Sequence, residues 1–206
     1  MGKLLKTFGI AFAIMVVTFL VVGFNLSSEY NVERMTKINA PQGLIFNQIQ
    51  SFQSWQAWSP WAKTDSTMQV SFSGLEKGEG AVMSWTSELA SNGKQTIVKT
   101  KDSSEVHIEL DFGNAGKANA LFLIEPLEQG MKVTWKFYGD IGSDIFGRYF
   151  NLLLDPMMGP LFETGLADLK DVAEQMVRVE KANPKDLAPS DSISTTITKA
   201  VEDSLK

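Results

Sequence analysis

From Thr7 to Ser28 the chain carries no charged side chain. The run reads TFGIAFAIMVVTFLVVGFNLSS, and most of it is bulky and apolar. As a helix rising about 1.5 Å per residue it extends for about 33 Å, enough to cross a hydrocarbon core of about 30 Å. No polar face interrupts the run, which argues against a helix half-buried in a soluble core. A helix also satisfies its backbone N–H and C=O groups internally, as hydrocarbon requires. The pattern predicts a transmembrane helix over about residues 7–26, within an anchor segment 1–29.

Beyond the anchor the pattern shortens and then changes period. Residues 30–39 read as a strand, and Pro41 opens a helical stretch in which Leu44, Ile45, Ile49 and Phe52 share one stripe. A tryptophan-rich segment follows, from Trp55 to Trp61. Then come six alternating runs. Met68, Val70 and Phe72 precede Gly74, and Ala81, Met83 and Trp85 share a face. Asn92-Gly93 signals a hairpin turn before Lys94–Lys101. Val106, Ile108, Leu110 and Phe112 alternate with Glu105, His107, Glu109 and Asp111, and two further runs hold Ala118 to Ile124 and Val133, Trp135 and Phe137. Such alternation argues for an antiparallel sheet with one face in water. Near residue 155 the period becomes helical: Phe162, Leu166, Leu169, Ala173 and Met176 step by three or four. Asp155-Pro156 reads as an N-cap followed by proline at the first helical position; Pro160 either perturbs its first turn or is the true start, and the helix is expected to end near Lys181.

Beyond Ala182 the composition shifts to Pro, Ser and Thr. Residues 182–206 read as a polar flexible tail. Ile193, Ile197, Val201 and Leu205 are spaced by four, which leaves open a short helix formed on contact with a partner or a membrane.

The ends of the anchor set its direction. Lys3 and Lys6 precede it, so the N-terminus is expected in the cytoplasm and the domain on the far, periplasmic or extracellular, side. The competing assignment is a cleaved signal peptide, whose apolar core is about 7–15 residues and ends in a small-x-small site. Here the core is longer, and Val22-Gly23-Phe24-Asn25-Leu26-Ser27 offers no such site. An uncleaved anchor is therefore expected.

Composition narrows the function. The formal net charge is −5, and from residue 29 onward there are 17 basic against 24 acidic residues, a balance of −7. Nucleic acid needs a basic face and is not an expected partner. The chain has no cysteine, which removes disulfides, thiolate catalysis and zinc–thiolate sites. No protein partner is named by the sequence.

The motifs Trp55-Gln56-Ala57-Trp58-Ser59-Pro60-Trp61, Phe72-Ser73-Gly74, Gly78-Glu79-Gly80-Ala81 and Trp85 stand in order, followed by Gly159-Pro160-Leu161-Phe162-Glu163-Thr164-Gly165-Leu166-Ala167-Asp168-Leu169-Lys170. Over residues 31–181 the chain resembles the START and Bet v 1-like (SRPBCC) superfamily, in its polyketide cyclase/dehydrase and lipid transport-like branch. The resemblance implies an α+β helix-grip fold. A curved antiparallel sheet would wrap a long C-terminal helix, with two short helices after the first strand and an apolar cavity between sheet and helix. The domain is expected over residues 30–181.

The available chemistry is sparse. The single histidine, His107, lies on a polar strand face, which leaves no Ser-His-Asp arrangement and no multi-histidine metal site. No metal or cofactor is expected. Glu88 and Glu163 are the acids to test, because a carboxyl in an apolar cavity exchanges protons nearer neutral pH. The aromatics carry more signal. Trp58, Trp61, Phe162 and Leu166 are expected to line the cavity from the helical segments, and Met83, Trp85, Phe122 and Trp135 from the sheet. For the tryptophans two roles stay open, lining a ligand cavity or filling the core. The leading functional expectation is a membrane-anchored binding module for a hydrophobic small molecule or lipid. The alternatives are a cyclase- or dehydratase-like enzyme using a cavity carboxylate, and an accessory interaction protein whose cavity is filled.

Overall fold

The computed structural model describes residues 2–89 and 91–182. The spaced Ile193, Ile197, Val201 and Leu205 lie outside the described residues. The apolar run forms α1 (Gly2–Asn25), of which the 22 residues Leu4–Asn25 are long and apolar enough to cross a membrane. β1 (Glu29–Ile38) leads into α2 (Gln42–Gln50), a 3-10 turn (Ser54–Ala57) and the short α3 (Trp61–Thr64). Six strands follow in turn: β2 (Gln69–Gly74), β3 (Ala81–Thr86), β4 (Gly93–Lys101), β5 (Glu105–Asp111), β6 (Lys117–Pro126) and β7 (Met131–Asp140). The long α4 (Ile145–Ala182) closes the described chain.

The seven strands form one antiparallel sheet in the order β1-β7-β6-β5-β4-β3-β2. Every neighbour is also a neighbour in sequence except β1, which pairs with the last strand. α4 lies chiefly along β1, and the whole is an α+β helix-grip fold. The alternation sorts side chains by face, with one register shift in β4 between Ile97 and Lys99. Val32, Phe137, Ala120 and Ile108 are joined by direct or consecutive cross-strand pairing and turn inward, while Glu33, Lys136 and His107 turn to the outer, polar face. Phe162, Leu166, Leu169 and Ala173 of α4 lie against this inner face with at most 1% of their surface exposed. Burying a side chain of Leu or Phe size contributes about 1.5–3 kcal/mol, so the stripe fixes α4 to the sheet.

Two local expectations are corrected. The hairpin expected at Asn92-Gly93 joins β3 and β4, but its turn lies ahead of Gly93. The connection runs over residues 87–92, and Gly93 is already in β4, opposite Trp85. The Trp85 ring lies over Gly93, where a Cβ would stand 2.5 Å from Cζ2, so this glycine serves a close approach rather than a turn. The second correction concerns α4, which starts ten residues before Asp155. Its cap is Asp144, whose Oδ1 accepts from the Phe146 N–H at 3.1 Å, and Arg148 N–H then donates to the Asp144 carbonyl at 3.0 Å. Pro156 and Pro160 sit inside the helix. Each removes one backbone donor without ending it, because the turns on either side are held by packing, one set against α1 and the other against the sheet.

Candidate functional site

Strand parity and helix packing bring five of the expected lining residues together. Trp135 in β7 stands directly opposite Phe122 in β6. Phe162 of α4 stacks on Trp135 with centroids 4.1 Å apart and planes 3° from parallel. Phe122 lies 4.9 Å from the same indole at 28°. Trp58 meets Trp135 edge-on at 5.9 Å, and Trp55 does so at 6.0 Å. Leu166 packs one turn beyond Phe162 and is buried. Both of these edge-on indoles have their N–H groups satisfied locally: Trp55 donates to the Ile49 carbonyl at 2.9 Å and Trp58 to the Gln48 carbonyl at 3.4 Å. Gly165 allows the close approach of α4, since a Cβ there would lie 2.8 Å from Pro60 Cδ and 3.0 Å from Trp135 Cζ3. The result is an aromatic floor beneath α4.

The other expected residues lie elsewhere. Trp61, the first residue of α3, is half-buried at the rim. Met83 and Trp85 share the inner face but sit on β3, four strands from β7. Met83 is buried beside Gln95, and Trp85 packs on Phe112 at 5.8 Å and donates to the Ser91 carbonyl. Glu88 is exposed in the β3–β4 connection. Glu163 is 63% exposed and pairs with Arg34 at 2.7 Å.

Arg34 was not legible as a site residue. It shares the inner face of β1 with Val32 and stands opposite Trp135. Its guanidinium reaches α4, binding both Asp155 oxygens at 2.8 and 3.1 Å and Glu163 through Nε. Gly159 lies between the two acids along the helix, and a Cβ there would collide with the guanidinium. The two carboxylates hold the Arg34 guanidinium firmly protonated, and Arg34 in turn holds the Asp155 carboxyl below the usual range. Asp65 is a second missed acid. It is buried at the end of α3, where Ser87 Oγ donates at 2.5 Å and Thr67 donates through both its hydroxyl and its N–H. These donors keep its carboxyl depressed and ionised.

A cleft of about 220 Å³ opens where the α1–β1 link, β1 and α4 meet, lined by Leu26, Tyr30, Val32, Asn151, Leu154 and Asp155 among others. Asn151 donates to the Ser27 and Ser28 carbonyls at 3.2 and 3.3 Å, while its own Oδ1 is buried without a partner among the described residues. Within the described residues no three His, Cys, Asp or Glu side chains converge as a metal site would require.

The model of the family described as polyketide cyclase / dehydrase and lipid transport matches residues 30–174. The chain belongs to this family. Solved structures agree on the fold. A Staphylococcus aureus protein of unknown function superposes with a TM-score of 0.57 at 10% identity, covering 74% of this chain and 98% of its own. A Chromobacterium violaceum protein gives 0.52 at 12% identity, covering 70% and 98%. The di-domain ARO/CYC StfQ from the steffimycin biosynthetic pathway gives 0.53 at 10% identity, over 72% of this chain and 52% of StfQ. At these identities the likeness is one of fold alone. No curated protein matches the chain by sequence.

Proposed function

We propose that the protein is a membrane-anchored module that binds a hydrophobic small molecule or lipid between its sheet and α4. The observation that carries this is the cleft at the α1–β1–α4 junction, at the foot of a helix apolar enough to span a bilayer. Its volume is below the 300–1,000 Å³ common for ligand sites, about 220 Å³. An occupant therefore either leaves part of itself outside or parts the seam between β1 and α4. The aromatic floor of Phe122, Trp135 and Phe162 adjoins that seam and offers the apolar contact. The tether keeps the seam beside molecules that partition into lipid.

The N-terminus is assigned to the cytoplasm on Lys3 and Lys6, and the anchor is retained. Retention is favoured by the contacts that α4 makes with α1: Tyr149 Oη donates to the Phe19 carbonyl at 2.7 Å, and Arg148 donates to the Phe24 and Leu26 carbonyls at 3.1 Å each. Cleavage would strip these groups of their partners.

Catalysis is not favoured. Glu88 and Glu163 face solvent, and the buried Asp65 is held ionised, which makes it a poor proton donor and a weak base near neutral pH. The reading of a filled interior that serves only as an interaction scaffold draws support from the tight Phe122–Trp135–Phe162 stack. The test compares the full-length chain with its Trp135→Phe and His107→Ala variants by titration with a fluorescent fatty acid. Trp135→Phe is expected to weaken binding several-fold and His107→Ala, on the outer face, to leave it unchanged. Equal effects in two folded variants would contradict the pocket, and no saturable binding in any form would support the scaffold instead.

A further inference from the structure

The first turns of α4 have a composition unlike the rest of that helix. Ile145–Leu154 reads IFGRYFNLLL, with Arg148 the only charge. Phe146, Phe150, Leu153 and Met157 step by four, three and four and form one stripe, which places them on a single helix face. All four are exposed, Phe146 by 76% and Leu153 by 54%. A stripe of this size on the open side of a helix calls for a cover.

Its position identifies the cover. Phe146 lies 5.3 Å from Phe19 of α1, and Tyr149 stacks on the same ring at 4.5 Å and 12°. Ile145 closes on Gly23, where no Cβ would fit. Phe19 is six residues before the end of α1, or about 9 Å along its axis. The start of α4 therefore stands level with the last turns of the apolar helix, not beyond them. The polar groups on this level are spent inward. Tyr149 Oη, Arg148 and Asn151 all donate to backbone carbonyls of the α1 end or its link to β1, and Arg148 also donates to the Gly142 carbonyl. Between Ile145 and Leu154 what remains facing outward is apolar; Asp155, more than half exposed, is paired with Arg34.

From this juxtaposition we infer that Ile145–Met157 is a second membrane contact, inserted into the same leaflet that receives the C-terminal end of α1. The occupant of the stripe is the acyl-chain boundary of the bilayer, at a depth of about 5–10 Å, as for other interfacial helices. The contact is apolar rather than electrostatic, since Arg148 is occupied and the domain is net acidic. Two contacts fix the domain's tilt, and they turn the cleft, whose lining includes Leu26 and Leu154, toward the leaflet.

The inference rests on α1 being a membrane span, and the test separates the two. The chain lacks cysteine, so single Val17→Cys, Phe150→Cys, Leu153→Cys and Val179→Cys variants of the full chain accept a fluorescent label without background. Each is reconstituted in phosphatidylcholine vesicles and quenched either by acyl-brominated lipid or by aqueous iodide. Labels at 17, 150 and 153 are expected to lose most of their emission to brominated lipid and little to iodide. The label at 179, exposed at the far end of α4, is expected to do the reverse. Iodide quenching at 150 and 153 with lipid quenching at 17 would overturn the inference and leave the anchor standing. Iodide quenching at 17 as well would overturn both. Protection at 150 from both quenchers, lost on dilution into excess lipid, would assign the stripe to a second copy of the chain and also overturn it.

Discussion

Gly165 and Trp135 show how closely the helix is drawn onto the sheet at single positions. The Gly165→Ala side chain would press on Pro60 and Trp135 at or below 3.0 Å, so the variant is expected to lose about 1–3 kcal/mol, read from urea unfolding. Gly43→Ala is its counterpart of opposite sign. Gly43 lies in α2, and nothing stands within 4 Å of the place a Cβ would take. Alanine there is expected to add about 0.5–1 kcal/mol. The inward parity of Trp135 and Phe122 was readable from alternation alone, because burial repeats every second residue in a strand. Arg34 has the same parity, but no local pattern tells that an inward arginine is satisfied. Its partners Asp155 and Glu163 are 121 and 129 residues away. Trp58 and Trp61 stand three apart in sequence, yet one is fully buried and the other half-buried, since Trp58 ends the 3-10 turn and Trp61 opens a new helix.

Among the elements, α4 does two jobs on either side of its prolines. Residues after Gly159 form the core stripe, and residues before Asp155 meet α1. The core half was legible from its heptad-like apolar spacing. The first half was not, because Asp155-Pro156 satisfies the sequence rule for a helix start equally well, and the competing cap at Asp144 gains its advantage only from contact with α1. The seam between α4 and β1 is pinned by carboxylates. Asp155 binds Arg34, and Glu174 accepts the Asn39 N–H at 2.9 Å just past β1. Arg34 depresses the Asp155 carboxyl, and the Asn39 N–H with nearby Lys170 and Arg178 depresses that of Glu174. A carboxyl with a folded pKa below its unfolded value stabilises above the unfolded value and loses that contribution as pH falls through the folded one. The thermal midpoint is therefore expected to hold above pH of about 5 and to fall below about 4. In Asp155→Asn the same decline should be shallower. An unchanged acid limb in that variant would remove Asp155 from the seam.

For the molecule as a whole, the parts form a consistent gradient. The outer sheet face carries paired charges such as Glu33–Lys136 and Glu109–Lys117 and suits water. The inner face carries stacked aromatics, and the cleft opens at the end nearest the apolar helix. The fold class was legible because strand alternation and a single long helical period specify a sheet closed by a helix. How full the interior is was not, since indole rings that line a cavity and indole rings that fill a core have the same sequence spacing. The deciding experiment is native mass spectrometry of the full chain, released from membranes in mild detergent. A module of the proposed kind gives the mass of the whole chain, anchor included, plus an apolar compound that leaves on collisional activation. A mass lacking the first thirty residues or so, or a bare chain in every charge state, would contradict it.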